Sequence, residues 1–517
     1  MPFDAIELSS VAIGGRVLSV SDEFFAEAYH LLLVEPAISL KGQFGPNGAL
    51  YSGWETRRHN PDHDWCIIQL GTPGSIIGFD IDTSHFNGNE APRASVDAFR
   101  GDTDEIPSKD DSRWKELLAP ADLGPNAHHL LPIPRSEPVN FVKLKMYPDG
   151  GIARFRVYGH VVPVIPQDPT HVFDLAHVFA GGSVVETSDQ HFGVGSNLVL
   201  PGRGKDMGDG WETKRSRQKG HKDWAIIKLG IPGYLQYMEI DTAHFKGNFP
   251  ESCEAHASLD SKEWTLVLPR TKLGPHRQHY FQLENVEGQP FTHVRVTIHP
   301  DGGMKRVRVM GSRSPSVPAM STPNPINTAT PTSTVPVLPL TPEAFAPFGK
   351  VIQAYQDHAT VPKGTKITPA NGGTATKFHK LALLENRYPN TLDATTGLSV
   401  YRCKPINVHD GKVNVNVIER HRYTNQAFIP MSSTNGTGYL VVVANGGDKP
   451  DMKTLRAFLA RPGQGIVYDT AVWHQPMTVL GDEDVDFTCV ETQVGNGGTE
   501  DCEIVELEED DVVSLRL

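Results

Sequence analysis

Cysteine is scarce in this 517-residue chain. The five residues Cys66, Cys253, Cys403, Cys489 and Cys502 are scattered, odd in number and never spaced as CxxC. This excludes a disulfide scaffold and a thiolate zinc site, and it fits a reducing compartment. Basic charge is also in deficit, with 48 Lys and Arg against 61 Asp and Glu, a net charge of −13 and no basic run. Such a surface repels nucleic acid and anionic membrane, so neither is expected as a partner. A pocket with local arginines still accepts a small anion. No stretch approaches the roughly 20 apolar residues that cross a bilayer. The N-terminal MPFDAIELSSVAIGG has neither the basic region nor the apolar core of a signal peptide, so a cytoplasmic protein is expected.

Glycine (48) and proline (40) are abundant, which favours short strands and turns over long helices. With 38% apolar and 21% charged residues, each part can bury a normal core.

The first 311 residues repeat themselves. GWETRR at 53–58 returns as GWETKR at 210–215, and DWCIIQLGTPG at 64–74 returns as DWAIIKLGIPG at 223–233. FDIDTSHFNGN at 79–89 matches MEIDTAHFKGN at 238–248, LGPNAHH at 123–129 matches LGPHRQH at 273–279, and YPDGG at 147–151 matches HPDGG at 299–303. Five blocks in one order, all at a spacing of 150–159 residues, are a duplication, with copies at 1–160 and 161–311. DWCIIQLG reads as a buried strand ending at a Gly-Thr-Pro-Gly turn. IIGFDID alternates, with Ile77, Phe79 and Ile81 on one face and Asp80 and Asp82 on the other. VKLKMYPDGGIARFRVYG reads as a hairpin around Pro-Asp-Gly-Gly. The expected architecture is all-β: two tandem jelly-roll or β-sandwich repeats.

Residues 312–335 are rich in Ser, Thr and Pro and read as an extended linker. The unit at 336–517 opens with TPEAFAPFG, a short helix with Thr341 as N-cap and Pro342 at its first position. It continues as strands, TGYLVVVANGG, QGIVYD and VDFTCVET among them, and a cupin-like β-barrel is expected.

Polar residues that survive in both copies are candidates for chemistry: Glu55, Asp64, Asp82 and His85, with counterparts Glu212, Asp223, Asp241 and His244. A carboxylate three residues before a histidine can orient the ring for general-base work or metal binding. The same block also reads as a loop in which Asp82 caps backbone amides. Arg154 and Arg156, matched by Arg306 and Arg308, stand opposite Phe155 and Val157. They either fork onto a substrate carboxylate or form a salt-bridged outer face. The copies differ in that Ser52 stands where copy two has Asp209, a sign that one copy holds the working site.

In the third unit Glu419 and His421, spaced i, i+2, share a strand face; Gln426 follows, and His474 comes about fifty residues later. Two imidazoles and a carboxylate (Glu419, His421 and His474) form an oxygen–nitrogen set for a divalent ion, the one cofactor the sequence suggests. A metal-free barrel using the same groups for proton transfer is the other reading.

The duplicated GWETRR, DWxIIxLG, DTxHFxGN and LGP blocks resemble allantoicase. That resemblance implies two jelly-roll repeats, hydrolysis of allantoate to ureidoglycolate and urea, and site positions at Glu55, Asp64, Asp82 and His85 and their counterparts. ERHx(4)QAFIPM, DKPDx(3)LRAF and VWHxP resemble ureidoglycolate lyase, which implies cleavage of ureidoglycolate to glyoxylate and urea. There His421 and Glu419 would move protons or polarise through a metal. His474 would supply the second imidazole, Gln426 would bind the ureido group, and Lys377, His379 and Arg456 would grip the carboxylate. The expectation is a bifunctional, homo-oligomeric enzyme acting on small molecules. The rivals are a chain with one active half and one scaffold, and a pair of sugar-binding sandwiches attached to a sensory cupin.

Overall fold

The computed structural model describes residues 5–315, 334–406, 408, 410–431, 438–508 and 512–517. Most of the expected linker, residues 316–333, therefore lies outside the described residues. Strands and turns dominate, and one α-helix, Pro342–Phe345, occurs among the described residues. Thr341 caps it, with its hydroxyl accepting from Ala344 N at 3.3 Å. No described helix is long and apolar enough to cross a membrane.

Each repeat is organised by one unusually long strand, Asp64–Asp82 in the first and Asp223–Asp241 in the second. The N-terminal half of Asp64–Asp82 pairs with Arg16–Val20 and Pro138–Tyr147, and the latter continues to Arg93–Phe99 and Lys115–Asp122. Its C-terminal half pairs with Arg154–Val161 and His128–Pro132. The strand thus belongs to two sheets, and the Gly-Thr-Pro-Gly segment expected to end it is the corner where it passes between them. Cys66, Ile68, Val96, Val142, Phe79, Ile81, Phe155 and Val157 fill the space between the sheets as one core. The second repeat follows the same order.

Two expectations are corrected. Pro138–Tyr147 and Arg154–Val161 do not form a hairpin: each pairs with a different half of the long strand, and the Pro-Asp-Gly-Gly segment carries the chain from sheet to sheet. Alternation reveals a half-buried strand but not its partner. A bulge between Ile76 and Gly78, opposite Gly159 and Tyr158, also turns Ile76 rather than Ile77 into the core. The rest of the alternation holds, with Phe79 and Ile81 inside.

The LGP block recurs because of its second histidine. Nδ1–H of His129 donates to the Ile81 carbonyl at 2.8 Å, and its Nε2 accepts from Gly124 N at 2.7 Å. His279 spans Ile240 and Gly274 with the same lengths. A neutral imidazole thus ties the end of the long strand to the following loop in both copies.

Among the described residues the third unit has two large sheets and a small hairpin, Ile367–Ala370 with Ala375–Phe378. A nine-stranded sheet contains Val417–Arg420, Tyr439–Ala444, Arg456–Ala460 and Trp473–His474, and a five-stranded sheet contains Gln426–Pro430, Gly465–Tyr468, Val485–Gln493 and Thr395–Cys403. Phe428, Val441, Phe458, Ile466 and Phe487 pack between them, so the unit is a half-barrel. It sits against the second repeat through Glu343, 3.2 Å from Arg277 and 4.0 Å from His279, and through Arg456, which donates to Glu284 at 2.8 Å.

His279 is fully buried beneath this contact, whereas His129 stays half-exposed. Burial holds the His279 pKa below the ordinary value. The unfolded chain therefore takes up a proton near pH 6.5 that the folded one refuses, so the stability this clasp adds is complete above that pH and erodes below it. His279→Leu leaves the Ile240 carbonyl and Gly274 amide unpaired and should cost roughly 2–4 kcal/mol. Thermal melting should show a larger loss than for His129→Leu, and the His279→Leu loss should shrink between pH 7.5 and pH 5.5.

Candidate active sites

In the duplicated half, most of the shared polar residues build the repeat. Asp64 accepts from the Ser21 hydroxyl at 2.7 Å, and that hydroxyl accepts from Trp65 N at 2.9 Å. Asp223, Ser188 and Trp224 repeat the pattern. Glu55 accepts from Arg58 at 2.8 Å and Asn89 at 3.0 Å, and burial outweighs those partners in raising its pKa. Glu212 accepts from Asn248 at 2.5 Å.

Asp82 and His85 do not meet. Asp82 Oδ1 accepts from Ser84 N at 2.7 Å, as a loop cap does, while the His85 ring reaches the Ala37 carbonyl at 3.2 Å. In copy two Asp241 caps Ala243 N and His244 Nε2 lies 3.4 Å from the Gly204 carbonyl. Both histidines occupy left-handed backbone, φ 69° and 68°, so the loop geometry itself is conserved between copies.

The arginines lie on the outer face of the second sheet, as alternation predicts; those of the first repeat are largely committed, while Arg306 Nε and Arg308 Nη1 of the second are buried without a hydrogen-bond partner. Arg154 donates to the carbonyls of Glu35, Ser52 and Ala153 at 2.7–3.0 Å. Arg156 forks onto a carboxylate of its own chain, 2.9 Å from each oxygen of Glu7. Arg306 donates to the Asp209 and Lys305 carbonyls, and Arg308 to those of Leu200 and Gly202. Asp209 itself pairs with buried Lys305. Copy one has Ala153 at that cation's position, so Ser52 and Ala153 together stand where copy two has an ion pair.

Alternation placed Asp80 beside Asp82 on this outer face, yet the group that meets them comes from the LGP block. His128 Nδ1 lies 2.9 Å from Asp80 Oδ2, and Nε2 lies 3.8 Å from Asp82 Oδ2. In copy two Gln278 donates to Glu239 at 2.7 Å, and Arg203 clamps Asp241 at 2.7 and 2.8 Å.

In the third unit the expected triad does assemble. Glu419 pairs directly across the sheet with His474. One ligand atom from each of Glu419, His421 and His474 lies within 4.8 Å of the others. Nδ1–H of His421 donates to the Asp501 carbonyl at 2.7 Å, and that of His474 to the Val472 carbonyl at 3.0 Å. These bonds leave both Nε2 lone pairs buried and without a partner. Burial, reinforced by His421, pushes His474 down to about 3. Its 3.7 Å approach to Glu419 is therefore a contact of a neutral ring and not an ion pair. Burial also raises the Glu419 pKa, with His421 opposing. Two imine lone pairs and a carboxylate facing one point are a donor set that fits a divalent cation.

Gln426 donates through Nε2 to Glu491 Oε2 at 2.7 Å, and its Oε1 is buried without a partner. Glu491 was not singled out from the sequence. The signal was present in VDFTCVET, where Val485, Phe487, Cys489 and Glu491 alternate onto one buried face. Cys502 Sγ lies 3.6 Å from Glu419, and the Tyr468 ring stacks on His474 at 4.0 Å. Of the expected carboxylate-gripping groups, Lys377 is exposed on a small hairpin, His379 meets the Thr368 hydroxyl at 2.7 Å, and Arg456 serves the contact with the second repeat.

Comparison with known proteins gives the same division. The allantoicase repeat model matches residues 6–162 and 173–314, and the ureidoglycolate lyase model matches residues 332–514. Allantoicase of Neurospora crassa is 48% identical over 325 residues, 60% of this chain and 92% of that protein. Allantoicase of Saccharomyces cerevisiae is 45% identical over 323 residues, 59% of this chain and 94% of that protein. The crystal structure of the Saccharomyces cerevisiae allantoicase covers 59% of this chain and 93% of its own, at 44% identity and a TM-score of 0.54. The chain belongs to the allantoicase family and carries a ureidoglycolate lyase domain behind its two repeats.

Proposed function

We propose that the chain hydrolyses allantoate to ureidoglycolate and urea in its first 311 residues, and cleaves ureidoglycolate to glyoxylate and urea in residues 336–517. Two families matched in tandem, the product of one being the substrate of the other, support a hydrolase–lyase fusion. The observation that carries the second activity is the triad of Glu419, His421 and His474 with its two unpartnered Nε2 atoms.

Cleavage of ureidoglycolate is the collapse of a carbinolamide: the hydroxyl proton leaves, the C–N bond breaks, and the departing urea nitrogen takes up a proton. Glu419, His421 and His474 would hold a divalent ion, which when bound lowers the pKa of an attached hydroxyl. The buried Gln426 carbonyl is left to accept from the ureido N–H groups, held in that orientation by Glu491. The depressed pKa of His474 keeps it a lone-pair donor rather than a proton carrier.

The free cysteines support a reducing, cytoplasmic setting, and the two matched enzyme families support small-molecule substrates. Self-association is supported by exposed Leu398, Val400 and Ile429, which share the outer face of the five-stranded sheet. Sedimentation equilibrium should find an oligomer that Val400→Asp weakens.

Purified chain fed allantoate should release two ureas and one glyoxylate per molecule. His421→Ala should stop the sequence after one urea. If no enzyme-dependent glyoxylate appears, the second half is a scaffold; if no urea appears, the catabolic reading fails. Chelation should lower glyoxylate formation from supplied ureidoglycolate by about tenfold or more, with recovery on adding a divalent ion. An unchanged rate would favour the metal-free reading.

A further inference from the structure

We propose that the working site of the allantoate reaction lies on the outer face of the first repeat, with His128 as its proton donor and acceptor. This rests on the reading of the duplicated half as an active hydrolase.

Three neighbouring strands build the place. The long strand supplies Asp80 and Asp82, and the cross-strand partner of Asp82 is His128 on one side and Arg154 on the other. Asp80 and Asp82 are buried, while the His128 side chain is 58% exposed, so an accessible imidazole sits on two inaccessible carboxylates. Nδ1 lies 2.9 Å from Asp80, which fixes the ring and directs Nε2 past Asp82 at 3.8 Å, beyond hydrogen-bond length. An exposed ring with one nitrogen anchored and the other available is the geometry a proton shuttle needs.

The second repeat has lost this device at two points. Gln278 replaces His128, so an amide rather than an imidazole meets the carboxylate of Glu239. Arg203 neutralises Asp241 with two bonds. Its counterpart in copy one is Pro36: Arg203 precedes the Gly204 carbonyl reached by His244, and Pro36 precedes the Ala37 carbonyl reached by His85. Copy one thereby keeps Asp82 free of that clamp.

The chemistry suits an aminal carbon bearing two ureido groups and a carboxylate. His128 as imidazolium gives its Nε2 proton to one ureido nitrogen. That C–N bond breaks, its electron pair leaves with urea, and the lone pair of the remaining ureido nitrogen forms a C=N bond as an acyliminium. Water adds to the carbon, its oxygen forming the new C–O bond as the C=N electrons return to nitrogen. The surplus water proton returns to His128, so water is consumed and the imidazole cycle closes. The hydrogen bond to Asp80 raises the His128 pKa, with the charges of Asp82 and Asp80 adding and burial and Arg156 opposing. Among the charged groups facing the ring, Asp80 and Asp82 come from the long strand and Arg156, itself tied to Glu7, from the strand beyond.

The test uses the full chain with two assays, urea from allantoate and glyoxylate from supplied ureidoglycolate. His128→Gln should lower allantoate turnover by about 100-fold or more while leaving the ureidoglycolate assay and the melting curve unchanged. Gln278→Ala should stay within about twofold of wild type. Asp80→Asn, a positioning change, should lower kcat and move the alkaline limb of the kcat/KM profile to lower pH, because fewer rings are then protonated; a purely structural role would not move that limb. Wild-type turnover with an unaffected His128→Gln overturns the proposal and leaves the hydrolase reading standing. So does a loss of activity confined to Gln278→Ala. A wild-type chain that releases no urea from allantoate sinks both.

Discussion

A single strand shared between two sheets imposes the constraint on which each repeat depends. Asp64–Asp82 and Asp223–Asp241 pass through the corner of a sandwich, so one alternating pattern must satisfy two layers at once. Inward residues at both ends reach the same core, and outward residues at the C-terminal end are delivered, two at a time, to a polar face beside matched arginines. A one-residue slip would turn both acids into the core. The bulge at Ile77 and the clasp of His129 or His279 beyond the strand hold that register from either side.

With the register held, the copies were free to diverge in pairs. Buried Lys305 is tolerable because Asp209 accompanies it, and copy one has neither, with Ala153 and Ser52 in their places. Gln278 with Glu239 likewise stands where copy one has His128 with Asp80, whereas Arg203 and Pro36 differ beside an aspartate, Asp241 or Asp82, that both copies keep. Removing Asp209 alone would strand the buried Lys305 ammonium. Divergence by matched pairs conserves the sheet while deciding which face keeps a titratable ring.

The all-β class, the duplication and the Glu419–His421–His474 convergence were legible, because each leaves a local trace: alternation, repeated blocks, and i, i+2 spacing on a strand. Strand pairing was not. VKLKMYPDGGIARFRVYG has every mark of a hairpin, and its two arms nevertheless join different sheets, since alternation carries no information about partners. The same limit explains the Asp82–His85 pairing that did not form. Nearness in sequence invited it, whereas the carboxylate's imidazole neighbour lies across the sheet in a block noted only for its repetition. Arg154 and Arg156 were placed on the correct face, but the carbonyls and the Glu7 carboxylate that occupy them arrive from loops and from the strand Ile6–Glu7, far along the chain.

The junction between the second repeat and the third unit bears on why two activities share a chain. Arg277 and Glu343 meet with side chains only 13% and 8% exposed. Both side chains are shielded from water, so the two units meet there through a closed packing surface and not a solvated rim. Third-unit docking covers His279 on the second repeat, whereas the open imidazole stands on the first. On the proposed assignment, ureidoglycolate forms at an exposed ring of the first repeat, on a different unit from the triad. The fusion raises the concentration that the second site experiences without enclosing a path to it. A labile intermediate profits from proximity alone, and a fold that keeps the two sites on separate units needs no movement between one reaction and the next.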